Sequence, residues 1–133
     1  GPGPTWGDFC GYIAGAPLQV WREGRLLAEF RVARTATPEG RSRGLMECPS
    51  LPPREGLLFI FPEADERAFW MENTPVALGL VFIGADRRIV SVKPGRPFDR
   101  ASILSDGPAQ YVLEVNAAES RGLAPGDRVV FAP

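Results

Sequence analysis

Proline and glycine interrupt this chain so often that long regular elements have little room to form. Fourteen prolines and fifteen glycines are spread over 133 residues. Proline removes a backbone donor and glycine favours turns, so the uninterrupted stretches are short. Short strands joined by turns fit this pattern better than a helical bundle does. At this length, a single domain is the simplest organisation.

The apolar residues between these breaks predict seven or eight short strands. Alternation over residues 18–21 and again over 26–32, with the Glu23-Gly24 turn between them, predicts a hairpin. Residues 93–108 are predicted to form a long irregular connection. The remaining strands are predicted at 57–61 (ended by Pro62), 68–72, 78–83, 88–92, 109–115 and 128–131.

Two short helices are predicted from capping signals. Thr37 followed by proline and glutamate predicts a helix start, with an end near Leu45 or Met46. Asn116 and Glu119 have capping-box spacing, and Gly122 is the expected stop of that second helix.

Together the elements predict an α+β, mainly β fold. The expected form is a small barrel-like or strongly curled, mostly antiparallel sheet, because either arrangement leaves few open edges. Residues 1–16 are predicted to be a flexible tail and residues 17–133 a single barrel-like domain.

Charge and hydropathy restrict the partners that can be expected. The net charge of −1 gives no reason to expect nucleic acid or an anionic membrane. No apolar run approaches the ~18 residues of a spanning helix, so we expect a soluble chain without a transmembrane segment. The partner is therefore expected to be an unknown small molecule or a protein.

The cysteines and the first residues of the chain indicate the cellular location of the protein. Cys10 and Cys48 are the only cysteines. Such a pair suits a disulfide in an oxidising compartment, although two free thiols in the cytosol would give the same count. The chain begins Gly1-Pro2-Gly3 without a methionine, which is typical of a mature form that has lost a signal peptide. We therefore expect a periplasmic or extracellular location.

Histidine is absent, and this excludes several kinds of catalytic and metal site. Ser-His and Cys-His nucleophile pairs cannot form, nor can zinc sites that contain histidine. Two cysteines cannot supply a four-cysteine zinc site, and no phosphate-loop or dinucleotide motif is present. We expect no cofactor and no metal. Carboxylate chemistry, cation binding by oxygen ligands, or no chemistry remains.

A ligand site is expected near residues 69–75, where large side chains precede an Asn-Thr-Pro turn. In a strand, Trp70 and Met71 would face opposite sides, with Met71 in the core. Trp70 would then be either a rigid binding platform or a core residue whose N–H finds a carbonyl. Asn73 either fixes the turn or contacts a ligand at the rim of a pocket.

Glu114 is the best candidate among the carboxylates. It shares one face of its predicted strand with Val112 and Asn116, so an enclosed face would desolvate it. The alternatives are a general acid or ligand contact, and a structural carboxylate that accepts bonds from Arg43 or from backbone N–H groups. Glu55, which precedes a buried strand, is either a ligand contact or a turn carboxylate.

Four blocks of this sequence resemble one known family. The blocks are Arg43-Gly44-Leu45-Met46, Glu55-Gly56-Leu57-Leu58-Phe59, Phe69-Trp70-Met71-Glu72-Asn73-Thr74 and Tyr111-Val112-Leu113-Glu114-Val115-Asn116-Ala117. Together they resemble family 192 of the domains of unknown function, over residues 20–131. The resemblance implies a compact, β-barrel-like fold that is frequently exported in bacteria and has no established activity. The chain departs from the family pattern at Glu72, Gly79 and Ala118, where lysine, aspartate and glycine are common.

The leading functional hypothesis is a non-enzymatic binding or accessory module with a shallow site near the Trp70–Asn73 stretch. One alternative is a carboxylate-based hydrolase that uses Glu114 with Glu55 or Glu72, a pair that would have to lie roughly 5–10 Å apart across a cleft. Another is a structural module for protein interaction, with an exposed apolar patch beside Trp70. The residues assigned to ligand binding are Arg43, Glu55, Trp70, Asn73 and Glu114.

Overall fold

The computed structural model describes Cys10 and residues 15–133, and it is mainly β. Nine strands are present there, rather than seven or eight, because a strand of only two residues at Ile103–Leu104 was not predicted. One six-residue helix, α1 (Pro38–Arg43), and one 3₁₀ turn (Ala117–Ser120) accompany them. The strands are β1 Ala16–Arg22, β2 Arg25–Thr35, β3 Glu55–Asp65, β4 Ala68–Phe69, β5 Leu78–Ile83, β6 Ile89–Gly95, β7 Ile103–Leu104, β8 Ala109–Asn116 and β9 Arg128–Phe131.

Seven of the strands form one curled sheet in the order β6-β5-β8-β3-β2-β1-β9. All neighbours are antiparallel except β2 and β3, which are parallel and are connected through α1. The edge strands approach each other at a single bridge between Arg88 and Arg128, beside a 2.9 Å hydrogen bond from Ile89 N to Asp127 O. The sheet is therefore strongly curled, but no continuous ladder between the described strands closes it into a barrel. β4 and β7 pair separately.

Local sequence explains the first hairpin and α1. Glu23 and Gly24 have φ of 48° and 78°, which suits the tight turn between β1 and β2. Thr37 caps α1 as predicted, because its Oγ1 accepts a 3.1 Å hydrogen bond from Gly40 N. The helix ends before Gly44, whose φ of 51° and ψ of −130° favour glycine, so it is shorter than predicted.

Two predicted strand ends were wrong. β3 continues through Pro62, because its pairing with β8 is irregular between Ile60 and Asp65 and the ladder needs no donor there. The predicted strand 68–72 is only two residues long. Met71 N donates to Asp99 O at 2.8 Å, and the chain then turns.

Two further predictions need correction at the other end of the chain. The second helix is only a 3₁₀ turn without a side-chain cap, because the Asn116 side chain donates instead to Leu51 O at 2.8 Å. The connection predicted at 93–108 is not wholly irregular, since β6 extends through Gly95 and β7 lies within it.

Two apolar clusters lie on the two faces of the curled sheet. β8 contributes to both, because successive side chains of a strand point to opposite faces. The inner cluster comprises Leu18, Val20, Ala28, Phe30, Val32, Leu58, Val81, Ile83, Ile89, Leu113, Val115, Leu123, Val129 and Phe131. The outer cluster comprises Leu45, Cys48, Leu51, Leu57, Phe59, Met71, Leu78, Leu80, Phe82, Ala109 and Val112.

Cys10 and Cys48 form a disulfide, with their Cα atoms 5.0 Å apart. Of the two alternatives for the cysteine pair, the structure therefore has the disulfide. Cys48 is buried in the outer cluster, directly after the segment that follows α1. The predicted tail, residues 1–16, lies largely outside the described residues, and Ala16 already belongs to β1. No helix in the described part of the chain is long and apolar enough to cross a membrane.

Candidate functional site

A cavity of about 520 Å³ lies on the outer face of the sheet. Three parts of the chain enclose it: α1 with the residues that follow it, the paired strands β3 and β8, and β4 with the turn after it. The lining residues used below are Arg41, Arg43, Gly44, Leu45, Met46, Phe59, Phe61, Ala68, Phe69, Trp70, Thr74 and Glu114.

A backbone contact at Asn73 joins two of these walls. Glu47 N, in the segment after α1, donates to Asn73 O at 2.6 Å. Asn73 has a φ of 55°, a conformation that asparagine tolerates better than most residues. Its side chain is exposed and it is not a lining residue. Its placement favours the turn role over ligand contact.

Glu114 lies on β8 with its side chain in the cavity. It is only 4% exposed, and its carboxyl accepts no hydrogen bond and pairs with no cation among the described residues. Its neighbours across the sheet are Leu57 on β3 and Leu80 on β5. Burial alone raises the pKa of Glu114 from its ordinary value of 4.5 to about 8. The carboxyl is therefore mostly protonated at neutral pH and can donate an O–H.

Arg43, the last residue of α1, also lines the cavity. Its Nη2 lies 3.3 Å from Glu47 Oε2, an exposed ion pair that contributes little. Its Nε is buried and has no hydrogen-bond partner. Because this nitrogen has almost no accessible surface, a ligand anion would pair with the guanidinium by replacing Glu47 rather than by reaching Nε.

Arg41, although it also lines the cavity, is held by the scaffold. Its Nη1 donates to Ala36 O at 2.6 Å and to Ile60 O at 3.1 Å. Its guanidinium lies 4.8 Å from the centre of the Phe61 ring, and Arg67 covers that ring at 3.8 Å. These contacts fix an aromatic wall and leave a positive charge beside it.

Aromatic rings form most of the apolar lining. Phe69 makes edge contacts with Phe59 at 5.0 Å and with Phe82 at 5.8 Å. Trp70 is 45% exposed, whereas the side chain of Met71 is fully buried. The prediction that these two residues face opposite ways is therefore confirmed, and Trp70 is not a core residue.

The other predicted carboxylates lie outside the cavity. Glu55 begins β3, two residues before Leu57, and its buried Oε2 has no hydrogen-bond partner. Glu72 pairs with the exposed Arg100 at 3.6 Å. Glu114 is the only carboxylate among the described lining residues, and neither Glu55 nor Glu72 lines the cavity with it.

The lining residues on β3 were not predicted as part of a site. Phe59 and Phe61 alternate with Leu57 on one face of that strand, which is a signal that the sequence contained. Thr74 was also missed, because the predicted strand through residue 72 placed the turn too late. Within the described residues, no group of three or more cysteine or carboxylate side chains could hold a metal ion.

Gly79 is packed too tightly to carry a side chain in this structure. A Cβ at that position would lie 2.0 Å from Ser120 Oγ and 2.3 Å from Ser120 Cβ. The aspartate that the family resemblance suggests at this position would therefore require the 3₁₀ turn to shift.

The chain resembles two solved structures over most of its length. One is a protein of unknown function from Novosphingobium aromaticivorans DSM 12444, with 28% identity and a TM-score of 0.82, covering 98% of this chain and 100% of the other. The second, from Sinorhizobium meliloti 1021, is described as a candidate transcription regulator. It has 33% identity and a TM-score of 0.83, covering 89% of this chain and 94% of the other.

No functionally curated protein shows significant similarity to this chain. The family model described as "Uncharacterized ACR" matches residues 19–131, which is most of the chain. The expected family resemblance is thereby confirmed, and the protein belongs to the DUF192 family of uncharacterised domains.

Proposed function

We propose that this protein is a binding module that accepts a small organic molecule in the outer-face cavity. The observation that carries the proposal is the Glu114 carboxyl, which is buried at the cavity without a hydrogen-bond partner. Buried polar groups in folded proteins are nearly always paired, so an unpaired one in a cavity favours a ligand that completes it. Convergent polar groups within an apolar, aromatic lining are typical of ligand sites.

Two other functions have less support. A hydrolase would need a second carboxylate facing Glu114 across the cavity, and neither Glu55 nor Glu72 is a lining residue. Nucleic-acid binding, which the description of the Sinorhizobium meliloti protein suggests, finds no support in a net charge of −1.

A protein-interaction role has one observation in its favour, namely three exposed apolar side chains near β4 and β7. Trp70, Phe98 and Leu104 are 45%, 61% and 50% exposed. Backbone hydrogen bonds bring their segments together, with Phe98 N donating to Thr74 O at 3.0 Å. This role would leave the partnerless Glu114 unexplained, so the ligand cavity is preferred.

Thermal-shift measurements with a panel of small acids, amines, sugars and nucleotides test the ligand proposal. A ligand at 100 times its Kd should stabilise the fold by about 2.7 kcal/mol, which is several degrees in Tm. Ala68→Trp fills the cavity from β4 and should abolish the shift, whereas Ala85→Trp, in the exposed turn before β6, should retain it. No shift with any compound, or a shift that persists in Ala68→Trp, would contradict the proposal.

We also propose a periplasmic or extracellular location. The Cys10–Cys48 disulfide supports it, because such bonds persist mainly in oxidising compartments. Cell fractionation with thiol labelling tests the proposal. Recovery of the native protein in the cytosolic fraction with both thiols reduced would overturn it.

A further inference from the structure

We propose that the ligand of this cavity is a small carboxylate with an apolar, preferably aromatic, body. This inference rests on the proposed function of the cavity as a binding site. It follows from the donors that the cavity offers, the charge of its lining and the chemistry of its walls.

Two polar groups at the cavity can both act as donors to a ligand. Arg43 lines the cavity, and within the described part of the chain its guanidinium is paired only with Glu47, in an exposed ion pair that a ligand anion can replace. The Glu114 carboxyl, in its protonated form, offers an O–H and has no acceptor among the described residues. A ligand carboxylate has two oxygens and can accept from both groups. A ligand ammonium would instead meet the like charge of Arg43.

The charge of the lining also favours an anion. Its charged or titratable members are Arg41, Arg43 and Glu114. With Glu114 protonated, the described lining residues carry two positive charges and no negative one, and the only acidic partner of either in the described part of the chain is the exposed Glu47, 3.3 Å from Arg43. β3 and β5 place only leucines opposite Glu114, and β4 with its following turn adds aromatic rings and Thr74. A cationic ligand would meet two like charges, whereas an anion would meet two opposite ones.

No hydrogen bond or ion pair among the described residues joins either arginine to Glu114. Arg43 pairs with Glu47, and Arg41 donates to two backbone carbonyl oxygens. Since Arg43 and Glu114 line the same cavity, the carboxylate of a ligand can contact both. Its apolar body can pack against Phe59, Phe69 and Trp70, in a volume of about 520 Å³ that holds a single ring with room to spare.

Three probes with the same ring and chain length separate the charge types: phenylpropionate, phenylpropionamide and phenylpropylamine. Calorimetric titration of the wild-type protein near neutral pH should show phenylpropionate binding at least about tenfold tighter than either of the others. Its affinity should fall about tenfold for each pH unit above the pKa of Glu114, about 8, because an ionised Glu114 repels the ligand.

Three variants test which residues are responsible for the binding of phenylpropionate and for its pH dependence. Glu114→Gln keeps a donor but cannot titrate, so it should bind phenylpropionate within about threefold of wild type at neutral pH and lose the fall above about pH 8. Arg43→Gln should weaken binding at least about tenfold. Arg128→Gln, an exposed charge change on β9, should bind as wild type does.

Several outcomes would overturn the inference. Tightest binding by the amine would make the site one for cations. Affinity for phenylpropionate that does not fall above pH 8 would show that the protonated Glu114 carboxyl does not hold the ligand. Equal binding of the amide and the carboxylate would show that the negative charge is not recognised. In these cases the cavity still binds a ligand and its proposed function stands.

If none of the three probes binds, the carboxylate inference fails, and the compound panel with Ala68→Trp decides the proposed function separately. The wild-type pH series needs no variant, so a variant that fails to fold does not remove the test.

Discussion

The two faces of the curled sheet bury similar numbers of apolar side chains but differ in what else they contain. The inner cluster consists wholly of hydrophobic residues. The outer face holds a cavity, a disulfide and the carboxyl of Glu114. β8 shows the contrast within one strand, since Leu113 and Val115 point inward while Glu114 points outward. Both faces therefore contribute to stability, but only the outer face combines its apolar cluster with a cavity and a buried carboxyl.

The largest expected effect of this contrast is a pH dependence that comes from the outer face. The pKa of Glu114 is higher in the folded state, so the folded protein holds a proton that the unfolded chain has lost. The stability that this proton confers is present below about pH 4.5 and is lost as pH rises towards 8. Glu114→Gln does not titrate. The free energy of unfolding of this variant, minus that of wild type, should therefore rise by about 5 kcal/mol between pH 4.5 and pH 8.

Urea unfolding of both proteins across the pH series measures this difference directly, since contributions from other groups cancel. Parallel pH profiles for wild type and Glu114→Gln would show that Glu114 is solvated in the folded state, and the distinction between the two faces would disappear.

The second largest effect should come from reducing the Cys10–Cys48 disulfide. The bond closes a long loop, with a sequence separation of 38 residues, and Cys48 is buried in the outer cluster. Loop-closure entropy gives about 3–4 kcal/mol for a loop of this size. Denaturant unfolding with and without reductant should show a loss of this magnitude. An unchanged midpoint after confirmed reduction would mean that the outer face does not depend on the bond.

Truncation of the inner face at Leu113 should cost about 3 kcal/mol, because this side chain is fully buried and its removal leaves a cavity. Val130→Ala, at a 40% exposed position of β9, is the control and should change stability by less than about 0.5 kcal/mol. Leu113→Ala should keep the wild-type pH dependence, since it leaves Glu114 in place. A cost below about 1 kcal/mol would mean that the inner face is not the tightly packed one.

The smallest effect concerns a second buried carboxylate, Asp127, whose pKa moves in the opposite direction. Its hydrogen bond from Arg22, at 2.8 Å, lowers its pKa, and Ala124 N also donates to it. The contribution of Asp127 to the free energy of unfolding is therefore present above the ordinary pKa range of an aspartate, and it is lost as pH falls through the lowered pKa. Asp127→Asn should cost about 1–2 kcal/mol at neutral pH. The measurement is urea unfolding, and a cost that grows on acidification would contradict this assignment.

Much of the fold could be predicted because its signals are local. Alternation and turn residues placed β5 and β9 at their observed bounds, and Thr37 marked the start of α1. The errors at Pro62 and at residues 68–72 arose where distant contacts decide the outcome. Pro62 is tolerated because its ladder is interrupted, and the strand after Phe69 ends because Met71 N binds Asp99 O.

The candidate site was less predictable, because it depends on contacts between distant segments. Strand alternation correctly placed Glu114 away from Leu113, and it placed Trp70 away from Met71. It could not show that α1 and β8 line the same cavity, or that Glu114 meets no donor there. Glu55 was grouped with Glu114 because both adjoin buried strands, yet Glu55 is not a lining residue of the cavity.

The most direct measurement is the titration of the Glu114 side-chain carboxyl by ¹³C NMR, with the signal assigned by Glu114→Gln. A buried, unpaired carboxyl at the cavity should titrate near pH 8 in the free protein. Phenylpropionate should shift the midpoint further upward, because the protonated form holds the ligand. A midpoint near 4.5 in the free protein would contradict the account, since Glu114 would then be solvated or paired with a cation.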